Sequence, residues 1–135
     1  MIELTNSAAQ TVLPGQAVTF DTVMLHTGCG ECFTKGIPSV KLRAIGGTYK
    51  IDFSGNIGSA AANTPVQLAI ALGGVPIPAT VAVSSPAAEN VFNNISTGTY
   101  ARNTCGDLNR VSVVNTGTVP VLLTANMNLR IARVS

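Results

Sequence analysis

The residues of this chain best suited to chemistry are one histidine and three cysteines: His26, Cys29, Cys32 and Cys105. Three of them lie in one short stretch, HTGCGEC, residues 26–32. A structural zinc site takes four such ligands, typically with two cysteines in C-x2-C spacing on a tight turn. The set is complete, but a second C-x2-C is missing. These residues therefore leave three alternatives open: a zinc or other metal site, a disulfide, or free thiols.

The position of the fourth ligand depends on how many strands separate the two cysteine segments. In our strand count, the loop holding Cys29 follows the first strand, and the loop holding Cys105 follows about the sixth. If strands alternate up and down, this odd separation places the two loops at opposite ends of a sandwich. We therefore expect Cys105 to meet Cys29 only if one strand has been missed or if a neighbouring protomer supplies it.

Catalysis is less well supported than a surface loop. Cys29 and His26 could form a nucleophile–base pair, but a glycine-rich surface loop is the better interpretation of this segment, and the chain has neither a Gly-x-Ser-x-Gly elbow nor a phosphate-binding loop. The six acidic residues are dispersed and form no calcium loop. We interpret Asp21 as pairing with an arginine or a loop backbone, and Asp107 as capping a turn.

The few aromatic residues divide into core and candidate surface positions. Tyr49 and Phe53 fall on one side of an alternating run, so we expect them in the core. Phe33 lies in the cysteine loop and Tyr100 follows Thr-Gly-Thr, so these two are the candidates for an exposed sugar contact.

Composition narrows the class of protein. The chain has 135 residues, which suits one domain; 46% are hydrophobic, 10% are charged, and the formal net charge is +2. Phosphate binding needs clustered Lys and Arg, so nucleic acid is excluded as the main partner. The start of the chain lacks the basic and apolar regions of a signal peptide, so we expect synthesis in the cytoplasm without secretion. The apolar stretch from Val66 to Val83 is interrupted by Gly and Pro, so it is not predicted to span a membrane.

Apolar residues alternate at period two, which predicts strands. No window of 11 or more residues has a helical period, and residues 85–93 favour at most one turn. We predict eight to ten short strands separated by turn signals such as Pro14-Gly15 and Gly73-Gly74. The alternating positions are Val18 and Phe20, Val23 and Leu25, Tyr49 to Phe53, Val66 to Leu72, Val111 and Val113, Leu129 and Ile131, and then Val134 after a slip of one residue.

The order of these segments resembles the C1q/TNF-like jelly-roll head, especially the bacterial and phage forms that end spore filaments and virion fibres. The resemblance covers residues 16–135 and rests on AVTFDTVMLHTG, SVKLRAIGGTYKIDFSGNI, PVQLAIALGGVPI, CGDLNRVSVVNTG and NLRIARVS. It implies a two-sheet antiparallel sandwich that assembles as a homotrimer. Burial of apolar surface around a trimer axis would explain so low a charge content. Residues 1–15 are then expected to be an N-terminal attachment segment, and residues 16–135 the head domain.

The leading hypothesis is therefore a non-enzymatic bacteriophage virion protein. We expect it to be a trimeric capsid decoration or head-fibre component that contacts capsid or fibre proteins through residues 1–15 and binds a host surface glycan. No cofactor is expected apart from a structural zinc. The first alternative is a bacterial surface or spore-coat protein with the same head. The second is a small metal-dependent enzyme that uses His26, Cys29 and Cys32.

Overall fold

The computed structural model describes residues 1–103 and 110–135, which form an all-β fold. The only helical element in these ranges is a 3-10 turn, Pro78–Thr80. The thirteen strands of the described chain are β1 Ile2–Thr5, β2 Gln10–Val12, β3 Thr22–His26, β4 Glu31–Phe33, β5 Val40–Leu42, β6 Thr48–Gly58, β7 Val66–Leu72, β8 Val75–Pro76, β9 Ala82–Ser84, β10 Phe92–Arg102, β11 Arg110–Asn115, β12 Val121–Leu123 and β13 Asn128–Arg133.

The strands form two antiparallel sheets. In sheet A the order is β2-β12-β6-β13-β1-β3, with β10 on the other side of β6; in sheet B it is β4-β5-β11-β7-β8, with β9 also beside β7. Consecutive strands repeatedly cross from one sheet to the other, as between β5, β6 and β7 and between β9, β10 and β11. Such crossing connections make a jelly-roll sandwich, which confirms the predicted fold class. The homotrimer stays a prediction.

Strand β6 shows how period two builds the core. Its residues Tyr49, Ile51 and Phe53 are buried, whereas Lys50 between them is exposed. On β13, Leu129 lies opposite Phe53 and Ile131 opposite Ile51, so paired strands place apolar side chains on the same face. Sheet B supplies the other half of the core through residues that include Val66, Leu68, Ile70, Val111 and Val113.

Strand β3 departs from the predicted alternation. Val18 and Phe20 are buried as expected, but all five residues of β3 are exposed, including Val23 and Leu25. The reason is its place in the fold: β3 is an edge strand that pairs with β1 alone in the described chain. Alternation predicts the strand, but only a second layer beneath it makes one of its faces a core face.

Residues 1–15 are part of the sandwich. Strand β1 lies between β13 and β3, its side chains Ile2 and Leu4 are fully buried, and β2 pairs with β12. The boundary predicted at residue 15 therefore does not separate a tether from the head. The physical reason is that Ile2 and Leu4 already alternate at period two, although the run is short. An attachment role for this segment stays a prediction.

In the ranges described, no helix has the length and apolar character needed to cross a membrane.

Candidate functional site

The segment between β3 and β4 is a tightly anchored loop. The backbone oxygen of Gly30 accepts hydrogen bonds from the Tyr49 hydroxyl at 2.7 Å and from the Arg43 N–H at 2.8 Å. The same hydroxyl accepts from the Ala44 N–H at 3.1 Å. Because the Tyr49 side chain is fully buried, it fixes the loop against the core. A Cβ on Gly30 would lie 3.3 Å from the hydroxyl oxygen, which favours glycine there.

The three predicted ligands of the loop do not gather around a common point. Nε2 of His26 lies 3.0 Å from the Glu31 backbone oxygen and is hydrogen-bonded to it. Cys32 is exposed on β4, where its neighbours Glu31 and Phe33 turn inward. Cys29 is exposed in the turn, and neither thiol is in a disulfide with the other. Over residues 1–103 and 110–135, no three His, Cys, Asp or Glu side chains converge as metal ligands.

Cys105 lies outside the described residues, but the chain on both sides of its segment is described. Asn103 exchanges backbone hydrogen bonds with Gly46 and Gly47, in the turn that follows β5. Arg110 pairs with Lys41, which in turn pairs with Cys32. Both flanks therefore lie at the same end of the sandwich as the cysteine loop. The predicted strand count was wrong because Glu31–Phe33, interpreted as loop, is strand β4. The chain therefore runs along the sandwich one more time than predicted between Cys29 and Asn103.

That correction leaves the predicted metal site untested. His26, Cys29, Cys32 and Cys105 stay a predicted ligand set, with the disulfide and the free thiols as alternatives. The topological argument against the set no longer holds.

A cavity of about 500 Å³ opens beside the same loop. It lies between the loop, the end of β5 and the end of β13. Its described lining residues are Gly28, Cys29, Gly30, Glu31, Arg43, Ala44 and Arg133. Its volume is within the range of small-molecule sites, roughly 300–1,000 Å³.

Glu31, the acidic residue of this lining, forms an ion pair with the start of the chain. Its side chain is fully buried, and Oε2 accepts a hydrogen bond from the Met1 α-amino group at 3.1 Å. The second oxygen, Oε1, is also buried and has no hydrogen-bond partner among the described residues. Buried polar atoms normally have such a partner, so Glu31 Oε1 is an exception within the described chain, and it lies beneath the cavity wall rather than open to it.

Asp21 has the structural role expected of it. Its carboxylate accepts hydrogen bonds from the Ser7 hydroxyl at 2.6 Å, the Ser7 N–H at 3.0 Å and the Thr22 hydroxyl at 2.8 Å. The bond from the Ser7 hydroxyl is the largest of the effects that hold the pKa of Asp21 below its ordinary value. Asp107 lies outside the described residues.

The outer face of sheet A is a second polar surface. Its charges are matched within the face, with Lys50 beside Asp52 at 4.0 Å and Arg130 beside Glu3 at 3.8 Å. Tyr100 is 64% exposed at the margin of this face, whereas Phe33 is partly buried against the core. Of the two candidate sugar contacts, Tyr100 is thus the accessible one.

Sequence reasoning missed the cavity residues Glu31, Arg43 and Arg133. No local pattern joins two arginines 90 positions apart, because only the meeting of β5, β13 and the loop brings them together. The one available signal was the alternation Glu31-Cys32-Phe33, which places Glu31 on the inward side of a strand.

No protein-family model matches the chain, and no curated protein sequence matches it. Among solved structures, the chain is similar to "PRD1 vertex protein P5", with 17% identity, coverage of 99% of this chain and 96% of that one, and a TM-score of 0.49. It is also similar to "EclA C-terminal domain; sugar-binding protein", with 15% identity, coverage of 94% and 79%, and a TM-score of 0.44. At these identities and scores neither likeness carries an argument about function, and the fold class rests on the strand order described above.

Proposed function

We propose that this protein is a non-enzymatic structural component of a bacteriophage virion, a capsid decoration or head-fibre protein that assembles as a homotrimer. The observation that supports this most directly is a pair of exposed apolar edges on one sandwich. The first edge is strand β3, where Val23, Met24 and Leu25 are all exposed, Met24 to 58%. An exposed apolar edge strand invites pairing with another chain, and proteins normally shield it.

The second edge lies at the opposite side of the sandwich, where β10 ends sheet A and β9 runs beside it. Its exposed apolar side chains are Val81, Val83, Val91, Phe92 and Tyr100. Hydrogen bonds tie β10 to its neighbours there: the Asn93 amide donates to the Ser84 hydroxyl of β9, and the Thr97 hydroxyl donates to the backbone oxygen of Thr80 in the 3-10 turn. This edge is therefore an ordered surface.

Two different apolar edges on opposite sides favour a head-to-tail interface, because the first edge of one copy can cover the second edge of the next. Such interfaces close into rings when the rotation allows it. A ring of three is what the C1q/TNF-like resemblance implies. The low share of charged residues, 10%, fits a chain whose surface is partly covered in an assembly.

Attachment to the particle is proposed in a narrower form than the sequence suggests. Strands β1 and β2 are committed to the sandwich, but the turns on either side of β2 are accessible. Ser7, Ala8 and Ala9 are exposed in the first turn, and Leu13 begins the second. These turns are the surfaces of residues 1–15 that a capsid or fibre protein can reach.

The contacts of His26 support a non-enzymatic role. In the described chain the side-chain hydrogen bond of His26 joins Nε2 to the Glu31 backbone oxygen, and none joins the ring to Cys29; a nucleophile–base pair would need such a bond. We therefore propose a structural loop at this position.

Light scattering on purified protein tests the assembly. We expect three times the 13.8 kDa chain mass, and we expect Met24→Lys to yield monomer because it places a charge in the proposed interface. Ile45→Lys is the matched control, since Ile45 is equally apolar, 71% exposed and located in the turn between β5 and β6. A monomeric wild-type chain would refute the trimer.

The virion assignment is tested separately, by mass spectrometry of purified phage particles from a lysate of the host that encodes the chain. Recovery of the chain with the particles supports the proposal. Recovery with the spore coat or cell surface instead would establish the first alternative.

A further inference from the structure

We infer that strand β3 receives a second copy of the chain through its side chains and is closed to strand pairing through its backbone. This inference rests on the proposed head-to-tail assembly and states how the first edge of one copy recognises the second edge of the next. Its starting point is an irregularity in the pairing of β3 with β1.

Strand β3 carries a β-bulge at Met24. In its antiparallel pairing with β1, Leu25 lies opposite Glu3 and Val23 opposite Leu4, so one step along β1 matches two steps along β3. Met24 is the extra residue and has no partner on β1. A bulge leaves its extra residue unpaired, bends the strand and interrupts the regular ladder. A strand added to the free side of β3 would therefore meet an irregular row of N–H and C=O groups, which opposes edge pairing.

The other edges of the described chain are shielded as well. Strand β10, the edge on the far side of sheet A, is in contact with β9 and the 3-10 turn. Asn93 and Thr97 of β10 form side-chain hydrogen bonds with these two elements. The remaining edge strands, β2, β4, β8 and β9, are two or three residues long, and β8 contains Pro76. Short edge strands, proline and covering segments all oppose strand addition, so no edge of the described chain offers a long, regular template.

Side chains are what the bulge leaves for contact on β3. Val23, Met24 and Leu25 are all exposed. Directly opposite residues of paired strands share a face, so Val23 lies on the face of Leu4 and Leu25 on that of Glu3. Apolar side chains therefore flank the free edge on both faces of the sheet, with Met24 between them in the strand.

The second edge of another copy is a matching surface. Its side chains Val83 and Phe92 are apolar and exposed. Neither edge carries Asp, Glu, Lys or Arg over Thr22–His26, Ala82–Ser84 or Phe92–Tyr100. Contact between the two edges therefore buries apolar surface without removing a charge from water, a step that is costly when the charge is left unpaired.

Closure of the backbone edges limits the size of the assembly. Head-to-tail contacts form rings when the rotation closes and open filaments when it does not. An edge that pairs strand to strand is also the usual route to aggregation. Contact through side chains, with the ladder interrupted at Met24, favours a closed ring of few copies.

Mixing two variants tests whether the two edges meet. Met24→Lys alters the first edge and keeps the second, and Val83→Lys does the reverse. We expect each variant to be monomeric alone and their mixture to contain a species of two chains, measured by light scattering and native mass spectrometry. A mixture of Met24→Lys and Leu25→Lys, both altered on the first edge, is the control and should stay monomeric. No two-chain species in the first mixture, or one in the control, would overturn the contact.

Deletion of Met24 tests the bulge itself. It removes the extra residue, so that Val23 and Leu25 face Leu4 and Glu3 in an unbroken register. We expect this variant to form particles that grow with time and bind thioflavin T. Met24→Ala keeps the extra residue and loses most of the side chain, so it should neither grow nor bind the dye. Circular dichroism confirms that both variants fold. A deletion variant without growth or dye binding would overturn the role of the bulge, as would growth of Met24→Ala.

Amide hydrogen exchange in the wild-type assembly checks the backbone of β3 directly. Amides of paired strands inside a sheet exchange only when the structure opens, so strand pairing between copies would give β3 the protection of β6. We expect the β3 amides that exchange freely in monomeric Met24→Lys to remain about tenfold or more faster than β6 amides in the wild-type assembly. Equal protection of the two strands would overturn the inference, whether or not the deletion variant folds.

The outcome is separable from the proposed function. A trimeric wild type whose β3 amides are as protected as those of β6 overturns this inference and leaves the trimer and the virion assignment intact. A chain that assembles through the two edges as expected but is absent from phage particles supports this inference and refutes the virion assignment.

Discussion

Removal of one buried hydroxyl tests how the cavity loop is held. Tyr49→Phe keeps the ring in the core but deletes the bond donated to the Gly30 oxygen and the bond accepted from the Ala44 N–H. The Gly30 oxygen keeps its bond from Arg43, so one N–H loses its partner. A hydrogen bond contributes about 1 kcal/mol net, and a desolvated group left without a partner costs about 1–3 kcal/mol. We therefore expect Tyr49→Phe to lower the free energy of unfolding by about 2 kcal/mol.

Urea denaturation followed by circular dichroism, at fixed protein concentration, measures this change. Tyr100→Phe is the matched control because the chain has only two tyrosines and Tyr100 is largely exposed in the single chain. The substitution removes only the hydroxyl and keeps the apolar ring that Tyr100 contributes to the proposed interface. Its effect should stay within about 0.5 kcal/mol. Amide exchange should also quicken at Ala44 in Tyr49→Phe, since local release of the turn exposes that N–H. A stability loss as small as that of Tyr100→Phe would refute the anchoring of the loop.

Three further perturbations probe the core, a turn and the cysteines. Phe53→Ala should cost about 3–5 kcal/mol, since Phe53 is 1% exposed between the sheets; a loss below about 1 kcal/mol in urea denaturation would contradict its place in the core. Asp21→Asn should lower the urea midpoint at pH 7, because a carboxyl whose pKa is lowered on folding stabilises the folded state at pH values above its unfolded pKa. The difference between variant and wild type should fade as the pH drops well below 3.8 and the carboxylate is protonated. A difference independent of pH would refute the carboxylate's role. Cys29 and Cys32 should both be alkylated in native protein, because both thiols are exposed. Protection from alkylation that a chelator removes, together with one zinc per chain, would establish the metal site. Protection of one thiol that a reductant removes would establish a disulfide to Cys105.

Local pattern was enough to predict the central strands. Tyr49, Ile51 and Phe53 are buried as their alternation predicts, because period two fixes which side chains share a face. Alternation says nothing about what lies beneath a face. Val23 and Leu25 follow the same pattern as Val18 and Phe20, and they are exposed because β3 ends the sheet.

The candidate site likewise combines features that local pattern predicts with features that only strand pairing creates. The sequence by itself determined the all-β sandwich and a glycine-rich surface loop after His26, since period-two alternation and glycine turns act over a few residues. Only the structure showed that Tyr49 and Arg43 anchor this loop and that both of its thiols are exposed. Only the tertiary structure showed that Glu31–Phe33 is a strand. Because the chain runs along the sandwich once more through this strand, Asn103 and Arg110 lie at the same end as the cysteine loop. The tertiary structure likewise decided that Arg43 and Arg133, 90 residues apart, line one cavity over the buried Glu31. The physical reason is that strand pairing brings together residues distant in the chain, and no short-range pattern encodes which strands pair.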